Sequence, residues 1–208
     1  VKTCKGYRCE NNTGEHPSCV HGLVYALDYA NDVIKLFGTK GNKPDMEGIA
    51  SSYTGSYLCK SGSREPHYKS ILGYNNTEVL KKLANYAIEN SADWDLANMV
   101  SCLDSYNKQK VLPSGLTSGW YLPSIEEMRM LINETETINA SMAKANGLSL
   151  WYLNGTEGAN DPRGRFNGYW SSSLRAGYLF YMVKDGKEGD SINGYVWNLG
   201  YFRFSFAF

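Results

Sequence analysis

The spacing of apolar residues changes character along this chain. In "NNTEVLKKLANYAIEN", Val79, Leu80, Leu83, Tyr86 and Ala87 recur at helical intervals behind Asn76 and Thr77, which predicts a capped helix. "DWDLANMVSCLDSY" predicts a second helix, turning Trp94, Leu96, Ala97, Val100, Cys102 and Leu103 largely inward. In "SGWYLPSIEEMRMLIN", Pro123 holds the backbone extended and Ser124 followed by Glu127 forms a capping box. Ile125, Met128 and Leu131 or Ile132 then face inward. "TETINASMAKAN" predicts a further helix that ends at Gly147, read as a left-handed cap.

Beyond Leu150 the helical interval stops. "GYWSSS", "YLFYMVK", "SINGYVW" and "YFRFSFAF" are short strand-like runs, and "KDGKEGD" and "NLG" between the last three suit hairpins. "HGLVYAL", from His21 to Leu27, predicts an early strand, and the last strand is expected to return beside it. Between Gly38 and Gly73 no period is visible, so that stretch reads as loop. Seven of the last fifteen residues are aromatic. Phe202, Phe204, Phe206 and Phe208 share one parity and point inward on this reading, whereas Tyr195, Trp197 and Tyr201 take the other. The pattern is α+β, with helices packed on a mostly antiparallel sheet and a C-terminal strand meander.

Composition narrows the function classes. The 208 residues suit one large domain or two small ones, and 21 basic residues balance 21 acidic ones. No basic stripe marks a nucleic-acid footprint, and no apolar run is long enough to span a bilayer, so neither nucleic acid nor direct membrane insertion is expected. The absence of an initiating Met and of a signal-peptide pattern reads as a mature or excised fragment. Cysteines stand at 4, 9, 19, 59 and 102. For the first three, an export-compartment disulfide, unrelated thiols and a poorly spaced zinc site all stay open. Cys102 falls on a helical core stripe and reads as a small apolar residue.

"HGLVYAL", "GYNNTEVL", the Ala97–Cys102 helix, "GWYLPS" with Glu127, "YWSSS" and the closing aromatic strand with its Arg stand in an order that resembles a known family. These are the bacterial surface domains of the Fibrobacter succinogenes major paralogous (FISUMP) or Lcl C-terminal type. The resemblance covers 21–208 and implies a C-type-lectin-like fold for a ligand-binding domain there. Residues 1–20 fall outside it, as an N-terminal extension or the remnant of a preceding domain. The family's role implies an exported adhesin or pilus-tip module, extracellular at the bacterial surface. Its partners would be a protein or glycan on another cell or host surface, and pilus subunits. Some members resemble the phage major tropism determinant, whose terminal strands are diversified by retroelements. The calcium-lectin motifs of animal relatives are absent: "VWNLG" lacks the carboxylate that would complete an oxygen shell for Ca²⁺. No cofactor or metal is expected.

Catalysis would require convergent groups with matched roles. His16 and His67 lie in loop-like sequence, His21 opens a strand, and no nucleophile elbow is present. Glu126 and Glu127 are adjacent on a helix and so diverge by about 100° rather than facing each other across a substrate. The serines of "YWSSS" read as ordinary strand hydrogen-bonding groups. Formylglycine-generating enzymes share the implied fold, but their chemistry needs C-terminal cysteines and none lies beyond 102 here. The expectation is a non-enzyme.

Matched position by position, the resemblance sets Trp170, Phe180, Met182, Phe202 and Arg203 at constant positions. It sets Arg175, Tyr178, Tyr181, Val183, Ser191, Asn193, Tyr195, Asn198 and Tyr201 where diversified relatives vary, with Trp197 in the same strand. Tyr offers rigid amphipathic area, and Asn and Ser offer adaptable hydrogen bonds. These ten residues are the expected ligand-binding face. Phage receptor binding and calcium-independent lectin activity are the alternative uses of such a face.

Overall fold

The computed structural model describes residues 23–35, 38–39, 46–53, 71–92, 94–113, 117–150, 152–153, 156–157, 168–176, 179–183, 191–195 and 199–208. The N-terminal extension expected for 1–20 lies outside them. In chain order the elements are β1 (Leu23–Tyr25), β2 (Ala30–Lys35), β3 (Gly38–Thr39), α1 (Met46–Ser51) and α2 (Gly73–Glu89). Next come β4 (Trp94–Asp95), α3 (Ala97–Gln109), α4 (Ile125–Asn133), α5 (Thr135–Lys144), β5 (Tyr152–Leu153) and β6 (Thr156–Glu157). The chain closes with β7 (Tyr169–Ala176), β8 (Leu179–Val183), β9 (Ser191–Tyr195), β10 (Leu199–Phe202) and β11 (Ser205–Ala207). This is the expected α+β arrangement.

As expected, β11 returns to pair antiparallel with β1, placing Leu23 opposite Ala207. The main sheet has five strands in the order β2-β10-β7-β8-β9. Here the simple meander fails. β10 does not pair with β9; it runs antiparallel to β2 and parallel to β7, with Tyr201 opposite Tyr169. The glycine of "NLG", read as a turn residue, is instead a strand residue. A Cβ at Gly200 would stand 2.5 Å from Met182 Cε and 2.7 Å from Trp170 Nε1, so the missing side chain makes room for both.

Three local expectations shift. The stretch from Gly38 to Gly73 contains β3 and α1, the latter buried through Met46 and Ala50. α2 starts at Gly73, ahead of the expected Asn76/Thr77 cap. Thr77 is buried, and its Oγ1 donates to the Gly73 carbonyl at 2.8 Å while accepting the Leu122 N–H at 2.9 Å. It therefore serves tertiary docking rather than the helix end. After α5 the left-handed residue is Asn146, with φ of 55°, and the Gly147 N–H reaches the Met142 carbonyl at 2.8 Å. Gly147 is required for another reason: a Cβ there would lie 2.9 Å from the Leu27 carbonyl oxygen.

Two apolar cores sandwich the sheet. On one side, α2 and α3 residues such as Leu80, Leu83, Met99 and Leu103 pack with Trp170, Phe180, Met182, Phe202 and Phe204. On the other, Ile125, Met128 and Leu131 of α4 pack with Tyr169, Tyr181, Val183 and Tyr201. Cys102 is buried on α3 as the helical stripe requires. Phe202 and Phe204 are fully buried, Phe206 is partly so, and Phe208 is 40% exposed, so the inward row fades at its end.

Candidate binding face

The two most distinctive motifs hold each other. The capping box of α4 forms as expected: Ser124 Oγ accepts the Glu127 N–H at 3.4 Å, and the Ser124 N–H donates to Glu127 Oε2 at 2.5 Å. Forty-eight residues later, Ser173 Oγ accepts the Ile125 N–H at 3.0 Å, which satisfies another donor of the same helix end. The Ser172 N–H donates to the Pro123 carbonyl at 2.8 Å, and Ser171 Oγ donates to the Tyr181 carbonyl at 2.8 Å. The serines of "YWSSS" therefore attach α4 and β8 to β7.

Glu127 is fully buried, and its second oxygen accepts the Tyr121 hydroxyl at 3.0 Å. The first turn of α2 abuts it. A Cβ on Gly73 would fall 2.2 Å from Oε2, so only glycine lets the start of α2 approach this carboxylate so closely. Both N-termini favour a negative charge at that point. The Tyr25 hydroxyl donates to the Glu127 carbonyl at 2.8 Å. Its phenol is pushed well above its usual range by burial, then by the charges of Glu127 and Glu126. Sequence reasoning found Ser124 and Glu127 but missed Tyr121, six residues before Glu127, and also Gly73, Thr77 and Tyr25, whose tertiary partners lie 45 or more residues away.

The two α4 carboxylates are committed to structure. Each carboxylate oxygen of Glu127 accepts from a structural donor, and Glu126 turns aside to Arg129 at 3.5 Å. His16, His21 and His67 lie outside the described residues, as do Cys4, Cys9, Cys19 and Cys59. Among the described residues no group of three or more His, Cys, Asp or Glu side chains could hold a metal ion, and no helix is long and apolar enough to cross a membrane.

The expected face divides. Tyr181, Val183 and Tyr201 are buried beneath α4, with Tyr201 packed 4.8 Å from the Tyr29 ring and 6.5 Å from Tyr169. No partner reaches them there, which corrects their assignment to an exposed surface. The physical reason is the second core: the face opposite the phenylalanines is dry because α4 covers it. Ser191, Asn193 and Tyr195 lie on β9, in register with Val183, Tyr181 and Leu179. Among the described residues β9 is one of the two edge strands of the main sheet, with β2 at the other edge. Arg175 lies near the end of β7, where Ala176, Leu179 and Tyr195 stand side by side across three strands. Tyr178, Trp197 and Asn198 lie outside the described residues.

No family model matches this chain. Over 202 residues it is 25% identical to a Bacteroides ovatus protein named "Putative fimbrium tip subunit Fim1C", across 93% of this chain and 34% of that protein. The crystal structure of a fimbrial protein from Bacteroides ovatus superposes with a TM-score of 0.66 and 26% identity, across 95% of this chain and 38% of that one. The chain therefore shares its fold with a portion of that fimbrial protein. It spans little more than a third of the length of either relative.

Proposed function

We propose that this chain is a ligand-binding module of the adhesin or pilus-tip type, displayed outside a bacterial cell. The observation that carries the reading is the likeness, along nearly the whole chain, to a fimbrium tip subunit and to a solved fimbrial protein. The module works by recognition, with no reaction of its own. Its partners are a protein or glycan on another surface and neighbouring pilus subunits. The finer fold is C-type-lectin-like, a reading that rests on the order of "GWYLPS", "YWSSS" and the closing aromatic strand. Retroelement diversification of the terminal strands rests on that same resemblance alone.

With Tyr181, Val183 and Tyr201 committed to the core, the binding face consists of Arg175, Tyr178, Ser191, Asn193, Tyr195, Trp197 and Asn198. Tyr, Trp and Arg supply the anchoring types of an interface, and Ser and Asn its adaptable hydrogen bonds. The purified chain, fluorescently labelled, should be applied to arrays of glycans and extracellular-matrix proteins beside a Tyr178→Ala, Tyr195→Ala, Trp197→Ala variant. The reading expects selective binding by the parent and a loss of roughly thirtyfold or more in the variant, since a single anchor costing about 2 kcal/mol already gives that. Undiminished binding by the variant, at equal thermal stability, would refute the placement of the face.

A further inference from the structure

Strand β7 does not run evenly beside β8. Leu174 stands opposite Phe180 and Ala176 opposite Leu179, so two steps along β7 match one along β8. Arg175 is the extra residue, which makes it a β-bulge. Bulges break the alternation of a strand, and they gather where a sheet re-aims a side chain at a site. Beside this bulge runs the row Ala176, Leu179 and Tyr195, across β7, β8 and β9. Tyr195 shares one side of β9 with Asn193 and Ser191, because strand residues alternate.

The charge at this corner has one sign. Arg175 is the only charged residue from Tyr169 to Val183, and none stands from Ser191 to Phe202. The nearest acids along the chain, Asp185, Glu188 and Asp190, fall between Val183 and Ser191. They join the strands where Val183 pairs with Ser191, at the opposite end of β8 from Leu179. At about 3.4 Å per residue that end is roughly 13 Å away, beyond the Debye length of about 8 Å at physiological ionic strength. The strands therefore bring a cation to the corner, and no carboxylate of β7, β8 or β9 answers it.

Given the face proposed above, we infer that Arg175 is its specificity-determining residue and selects a glycan whose sugar carries a carboxylate. A planar guanidinium meets a carboxylate through two parallel hydrogen bonds. Tyr195 supplies flat amphipathic area for a sugar ring, and Ser191 and Asn193 supply donors and acceptors for its hydroxyls. An acidic peptide is read by a cluster of basic residues, and this corner has a single one.

The test uses the whole chain on an array that pairs each carboxylated glycan, sialyllactose and trigalacturonic acid among them, with its methyl ester. A hexaglutamate peptide serves as the third probe. The acids should bind about tenfold or more tightly than their esters, as loss of a hydrogen bond to a charged group gives. Arg175→Gln should bring the acids down to the level of the esters and leave the esters unchanged. The acid–ester comparison needs only the parent, so it decides the matter even if that variant does not fold. Equal binding of acid and ester, a preference for hexaglutamate, or binding to proteins with no glycan retained would each overturn the carboxylated sugar. The face itself would survive those results, since it falls only if the Tyr178, Tyr195, Trp197 variant binds undiminished.

Discussion

A carboxylate without solvent exposure is tolerable only among donors, and Glu127 meets that condition through the Ser124 N–H and the Tyr121 hydroxyl. Ser124→Ala removes the acceptor for one orphan N–H of α4, so it should cost about 0.5–2 kcal/mol in denaturant unfolding. Ligand binding should be unchanged, and a variant of full stability that no longer binds would contradict the structural role. The tyrosines give a pH prediction. Burial, the Asp28 hydrogen bond and the Asp28 charge raise the Tyr106 phenol far above its usual range, with Arg203 opposing. Tyr25 is raised as well. Unfolded phenols release protons near pH 10, which the native ones do not. The contribution to stability is therefore complete below about pH 10 and lost as pH rises beyond it. Unfolding free energies followed from pH 8 to 11 should fall less steeply in Tyr106→Phe than in the parent; identical slopes would contradict the shift. At this scale the sequence was legible where partners are three residues apart, as in the capping box. The Thr77–Leu122 and Gly73–Glu127 contacts were not, because nothing local marks them.

Alternation along a strand tells which side chains share a side, not whether that side is wet. The phenylalanine parity of "YFRFSFAF" correctly put Phe202 and Phe204 inside. The same logic assigned Tyr201 to solvent, and α4 overturned it by covering the second face. Strand order was equally hidden, since the insertion of β10 between β2 and β7 depends on Gly200 fitting beside Trp170 and Met182. The closing strands still permit a graded prediction. Phe204→Ala should cost about 3–5 kcal/mol, because the ring is fully buried and packs 5.3 Å from Tyr106. Phe208→Ala should stay within roughly half of a kcal/mol, as exposed positions do. Equal losses at the two positions, measured by denaturant unfolding, would mean that the chain end is packed differently.

At the scale of the molecule, helices anchored through Glu127 and the three serines clamp a sheet whose edge strand β9 carries Ser191, Asn193 and Tyr195. That division suits the proposed recognition module, with a packed scaffold beside the edge that carries the proposed contacts. It also explains why the class of the molecule was more legible in the sequence than its contact residues. Motifs and their order are read directly along the chain, whereas exposure depends on which face α4 happens to cover. The central claim is that recognition occurs at the β7–β8–β9 side rather than over α4. Amide hydrogen exchange, with and without an array-identified ligand at saturating concentration, tests it most directly. New protection should be confined to 175–178 and 191–198; protection falling instead on α2, α4 or α5, or no change anywhere, would contradict that location.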